Sequence, residues 1–133
     1  MSLDAKRLLG SWALVVWDRT GPDGAVSYPY SERATGRIFY DANGLMGAFL
    51  MHPDWGPGDD GAEPRFLSYS GRWELEGDIV NHTVDMASDP RFIGLVLRRR
   101  VVPDGERVAL ETLAAKGHAD RDSRHRLLWR RVG

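Results

Sequence analysis

The chain has 133 residues, 18 basic and 19 acidic side chains, a formal net charge of -1 and no cysteine. Its length fits one domain over residues 1–133. The charge balance offers no attraction to nucleic acid or to an anionic membrane surface, and the missing thiols exclude disulfides and thiolate metal sites. No basic leader with an apolar stretch and no apolar run of about 18 residues is present, so a cytoplasmic setting is expected. Fifteen glycines and five tryptophans combine many turns with large apolar side chains, as a small all-β protein requires.

In chain order, Asp4 to Leu9 is expected to form a short helical turn capped by Asp4. Gly10 to Asp18 contains the run Trp12-Ala13-Leu14-Val15-Val16-Trp17, which is β-branched and aromatic and reads as the first strand. Arg19 to Thr35 is a long loop with Gly21-Pro22-Asp23-Gly24 and the aromatic segment Tyr28-Pro29-Tyr30, placed either over an opening or outside the barrel. Gly36 to Asp41 and Leu45 to Met51 flank Asn43-Gly44, a strong hairpin signal. His52 to Pro64 is a Gly-, Pro- and Asp-rich loop carrying Trp55. Leu67 to Leu75 alternates, with Leu67, Tyr69, Gly71, Trp73 and Leu75 on one face and Ser68, Ser70, Arg72 and Glu74 on the other. After the turn Glu76-Gly77-Asp78, Ile79 to Met86 is the next strand. Ser88-Asp89-Pro90 signals one short helix near residues 87–91. Phe92 to Val102 is extended, Pro103-Asp104-Gly105 turns, and Arg107 to Leu113 and Arg124 to Val132 are the last strands. The expected fold is all-β: an antiparallel up-and-down barrel of about eight strands.

Several ordered segments resemble one family. These are Leu9-Gly10-Ser11-Trp12, Gly36 to Gly44, Tyr69 to Asp78, Val80-Asn81-His82, Asp89 to Gly94, Arg99-Arg100 and Leu127 to Arg131. Together they are similar to the lipocalin-like domain family of single-domain bacterial and fungal proteins, and the likeness covers nearly the whole chain. The resemblance implies an eight-stranded calycin-type barrel in which a last-strand arginine lies over the first-strand tryptophan. Arg131 matches that position, and Leu127, Trp129 and Arg131 share a face by alternation; a register slip of one residue puts Arg130 there instead. Gly10, Trp12 and Arg131 are thus expected to close one end of the barrel, with the opening at the other end.

Alternation also selects an interior polar set. Val80, His82, Val84 and Met86 share the more apolar face of their strand, and Leu95, Leu97, Arg99 and Val101 share one face of the next. Tyr69, His82 and Arg99 are therefore expected to converge. A guanidinium inside an apolar barrel must be paired, wet or in contact with an anionic ligand. Either Arg99 and His82 orient a ligand carboxylate, enolate or phenolate, or Arg99 stacks on Trp73 or bonds backbone at the rim. The expected function is binding of a small apolar or amphipathic molecule, with Tyr69, Trp73, His82 and Arg99 contacting it, and with Trp55 either a portal residue that touches it or a plug over the barrel end. Two other classes remain open. One is a cyclase or isomerase of a polyketide-like substrate with His82 as base and Arg99 stabilising an enolate. The other is a filled barrel that serves as an interaction or homodimerisation module. No metal site is expected from His52, His82, His118 and His125, and His118, Asp120 and Asp122 read as solvated turn residues. No cofactor is expected; His82 and His125 are the only candidates for a haem ligand, by analogy of shape.

Overall fold

The computed structural model describes residues 3–59, 65–113 and 124–133. Extended segments pair in the order in which the chain meets them. The strands are β1 (Gly10–Thr20), β2 (Val26–Ser27), β3 (Thr35–Tyr40), β4 (Leu45–Met51), β5 (Phe66–Glu76), β6 (Ile79–Ala87), β7 (Val96–Asp104), β8 (Arg107–Thr112) and β9 (Arg124–Arg131). β3 to β9 form successive antiparallel neighbours, and β1 pairs with both β3 and β9. Eight strands therefore close into a barrel, and the two-residue β2 adds to the far end of β1 through Arg19↔Ser27 and Thr20↔Val26. Closure leaves the barrel no free edge along β1. At the seam, the Ser11 N–H donates to the Gly133 carbonyl at 2.8 Å and the Val132 N–H to the Ser11 carbonyl at 2.8 Å.

Tight turns set the register at one end. Between β3 and β4, the Asp41 carboxylate accepts from the N–H groups of Asn43 and Leu45, each at 2.9 Å, while Gly44 takes φ of 86°. That left-handed conformation is open to glycine at no steric cost. The β7–β8 turn is tighter than the sequence suggests: Pro103 and Asp104 remain in β7, paired with Val108 and Arg107. The short turn of 3-10 type near residues 87–91 lies at Pro90–Phe92, capped by the Asp89 carboxylate, and β7 starts only at Val96. The expected extended run from Phe92 is broken there because the chain must reverse through Gly94, at φ of 90°.

Two β-bulges change which side chains face inward. The β1–β9 register skips Val15, between Leu14 and Val16. Strict alternation from Trp12 would send Trp17 outward; the extra residue returns it to the interior, where it is buried. The β5–β6 register skips Asp85, between the pairs Gly71↔Val84 and Ser70↔Met86. Val80, His82 and Val84 are buried as alternation predicts, but Met86 is 66% exposed and Ala87 faces Tyr69 instead. The expected inward position of Met86 is thus corrected, because one inserted residue reverses the parity beyond it. Gly71 makes that bulge possible: a Cβ there would stand 1.8 Å from the Thr83 carbonyl oxygen.

One end of the barrel is filled. The 3-10 turn Ala5–Arg7 is capped by Asp4 and lays Leu8 across the opening, and the Leu8 carbonyl accepts from Trp12 Nε1 at 2.9 Å. Leu8 and Trp12 are each 1% exposed. Burying a tryptophan hides about 150–250 Å², worth roughly 4–6 kcal/mol as an upper bound. The Arg131 guanidinium lies 4.3 Å from the centre of the Trp12 ring. It donates to the Arg7 carbonyl at 2.8 Å and to the Leu9 carbonyl. Gly10 is squeezed between them: at φ of 116° its missing Cβ would meet the Gly133 carbonyl and the Arg131 guanidinium. No helix among the described residues is long and apolar enough to cross a membrane.

Candidate functional site

The other half of the barrel is hollow. A cavity of about 530 Å³ lies toward the end that carries the long loops, walled by Trp17, Leu50, Leu67, Leu110, Leu127 and other apolar side chains. That volume is within the range of small-molecule sites. Tyr69, His82 and Arg99, from β5, β6 and β7, all reach its wall. They do so by pairing: β5 holds Trp73 opposite His82, and β6 holds Val80 opposite Arg99.

His82 is 1% exposed and both its ring nitrogens are engaged by tyrosines. Nε2 meets the Tyr40 hydroxyl at 2.6 Å and Nδ1 meets the Tyr69 hydroxyl at 2.8 Å. Burial, with a smaller push from Arg99, holds the imidazole well below its ordinary pKa, so it stays neutral. Burial also raises both phenols; the Arg99 guanidinium, which faces the Tyr69 hydroxyl, pulls Tyr69 part of the way back. Since a neutral imidazole has one donor and one acceptor, the two tyrosines necessarily play opposite parts.

Arg99 is the middle of three consecutive arginines, and its neighbours show what it lacks. Arg98 pairs with Glu76 at 3.1 Å and Arg100 with Asp78 at 3.6 Å, both at the surface. Arg99 points the other way, is half-buried, and donates to the Arg98 carbonyl at 3.0 Å. Among the described residues it forms no ion pair with a carboxylate.

Two of the expected contact residues lie elsewhere. Trp73 is not on the cavity wall. It sits toward the filled end, packed edge-on against Tyr40 at 4.9 Å, with Nε1 donating to the Asp41 carbonyl at 3.0 Å. The hairpin carbonyl claims its polar atom, so Trp73 buttresses Tyr40 from behind. Trp55 is not on the wall either: it lies partly exposed on the β4–β5 loop against Phe66, ring centres 5.9 Å apart. The Trp55 N–H donates to the His52 carbonyl at 3.0 Å in a local turn. Of the loop aromatics, Tyr30 is buried edge-on against Trp17 at 4.8 Å, while Tyr28 is exposed. His118, Asp120 and Asp122 lie outside the described residues.

Sequence reasoning missed three wall or network residues. Tyr40 shares a face with Ile38 by alternation in β3, a signal that was available. Trp17 was hidden by the bulge at Val15. Trp129, 2% exposed, lines the cavity with Nε1 bonded to no acceptor among the described residues. His125, considered only for haem, also lines the cavity; its Nδ1 accepts from Trp17 Nε1 at 3.0 Å, and its backbone N–H donates to Thr112 Oγ1 at 3.1 Å.

A closed eight-stranded antiparallel barrel, sealed at one end and hollow toward the other, defines the class of up-and-down barrels with an interior cavity. The chain belongs to the lipocalin-like domain family, whose model matches residues 9–132. A solved structure of a lipocalin-like protein from Bacteroides uniformis ATCC 8492 is similar in fold, with a TM-score of 0.54 at 14% identity, covering 95% of this chain and 99% of that one. A search of curated proteins finds no match.

Proposed function

We propose that the barrel binds one small amphipathic molecule, its apolar body against Trp17, Leu50, Leu67 and Leu127 and its polar end toward Arg99 and Tyr69. One observation carries this reading: the Arg99 guanidinium faces a largely apolar cavity of about 530 Å³ without a carboxylate partner among the described residues. Holding a half-buried cation against an apolar wall costs free energy that an anionic partner offsets. Tyr69 and His82 bring further polar atoms to the same wall, giving the few convergent polar groups that fix a ligand's orientation.

The pairing of both His82 nitrogens with tyrosine hydroxyls supports binding over cyclisation or isomerisation, in which His82 would take a proton from substrate directly. A filled interaction module has no use for the cavity. The cysteine-free chain suits a cytoplasmic ligand pool. The test is titration with a neutral apolar alcohol such as 1-decanol, followed by tryptophan fluorescence and calorimetry. Saturable binding at one molecule per chain is expected, since Trp17 and Trp129 stand on the wall. No change in fluorescence and no heat, for 1-decanol and for its charged analogues, overturns the reading.

A further inference from the structure

The hydrogen-bond partners of His82 favour one placement of its proton over the other. Tyr40 is buried, does not line the cavity, and has His82 Nε2 as its hydrogen-bond partner at 2.6 Å. If Nε2 carried the proton, the Tyr40 hydroxyl would accept it and its own proton would be stranded in the core with no acceptor among the described residues. Leaving a buried donor unmade is costly. The other tautomer avoids this: Tyr40 donates to Nε2, and Nδ1–H donates to the Tyr69 oxygen at 2.8 Å. Tyr69 then accepts from His82 on one side and faces the Arg99 guanidinium on the other. Its own proton is turned toward the cavity it lines.

The wall groups now share one sign. The Tyr69 O–H and the Arg99 guanidinium are donors, and so is Trp129 Nε1–H, buried on the wall without an acceptor among the described residues. Among the described residues, no carboxylate lines the cavity. Resting on the ligand-binding reading above, we propose that the ligand's polar end is an acceptor-only anionic oxygen, a carboxylate or an ionised enol or phenol, gripped by the Tyr69 hydroxyl and the Arg99 guanidinium, with His82 and Tyr40 as positioning residues that aim the Tyr69 proton. A donor chain ending on a negative oxygen strengthens each bond in it, and the forked guanidinium suits two oxygen lone pairs. An ammonium or a ligand offering only donors meets repulsion and finds nothing to bond.

The experiment compares 1-decanol, decanoate and decylammonium by calorimetry on the intact protein, with 4-nitrophenol as a reporter whose colour reads its ionisation. Decanoate is expected to bind roughly ten- to hundredfold more tightly than decylammonium, the range of one charge-assisted hydrogen bond gained or lost. A fall in the pKa of bound 4-nitrophenol assigns the phenolate source; decanoate selectivity with unshifted 4-nitrophenol assigns the carboxylate source. Tyr40→Phe is expected to erode the preference for decanoate over 1-decanol several-fold, and an unchanged preference overturns its positioning role. Nitrogen-15 NMR of unliganded wild-type protein should find the His82 proton on Nδ1. Equal affinity for decanoate and decylammonium, or a proton on Nε2, overturns the proposal while 1-decanol binding keeps the broader reading. Failure of all three decyl compounds to bind overturns both.

Discussion

Each end of the barrel holds a tryptophan of β1 and an arginine, and the two pairs are used in opposite ways. At the filled end, Trp12 gives its Nε1 proton to Leu8 and Arg131 covers the ring, its donors satisfied by the carbonyls of Arg7 and Leu9. At the hollow end, Trp17 gives its proton to His125, and among the described residues Arg99 reaches the Arg98 carbonyl and the Tyr69 hydroxyl but no carboxylate. A satisfied arginine is part of the fold. An unanswered one, beside a cavity, is a cost to the fold that a ligand can remove. The filled and the hollow halves are thus divided along the barrel axis, with the Tyr40–His82–Tyr69 network where they meet.

The largest effect expected on this contrast is from Trp12→Ala, which should cost about 3–5 kcal/mol in urea unfolding, as emptying a sealed core does. Trp17→Ala should cost clearly less, because its site already borders open space. Equal losses from the two would break the comparison. Next comes Gly71→Ala: with a Cβ at 1.8 Å from the Thr83 carbonyl oxygen, backbone must shift at the bulge. A loss of about 1–3 kcal/mol is expected, together with weaker ligand binding, because the bulge sets Ala87 rather than Met86 opposite Tyr69.

The network should also give the protein an acid limit. His82 has a folded pKa below its unfolded value of about 6.5, so between those values the unfolded chain binds more protons than the folded one. Its contribution is therefore complete above about pH 6.5 and lost as pH falls below it, at up to about 1.4 kcal/mol per pH unit. The thermal midpoint of wild type should drop between about pH 7 and pH 5 more steeply than that of His82→Gln; parallel profiles would remove His82 from the account. The tyrosines work in the other direction. Tyr40 and Tyr69 have raised pKa values, so the unfolded chain ionises first and stability falls above about pH 10.

The smallest effect sharpens the comparison most, because its sign differs between the ends. Arg131→Met should destabilise by about 0.5–2 kcal/mol, losing its contact over Trp12. Arg99→Met should leave stability unchanged or raise it slightly, since an unanswered cation leaves an apolar wall. A matching loss at both positions, measured by denaturant midpoint, would mean that Arg99 is structural after all.

Much of this was legible in the residues. Period-two alternation places Tyr69, His82 and Arg99 on inward faces of three consecutive strands, and Gly77 marks the hairpin that makes the first two of those strands neighbours. Gly10-Ser11-Trp12 and the face shared by Trp129 and Arg131 foretell a closed end. These are local rules of the chain, so a sequence can state them. Three features came only with the tertiary structure. The bulges at Val15 and Asp85 invert parity, because the partner strand decides where a residue is skipped. Trp73 and Trp55 leave the cavity because the Asp41 carbonyl and the Phe66 ring are nearer partners than the cavity is. Tyr40 meets His82 from 42 positions away, and no local pattern specifies a hydrogen bond across a barrel. Outside the two bulges, alternation determined which side chains enter the interior; closure of the sheet decided which of them touch.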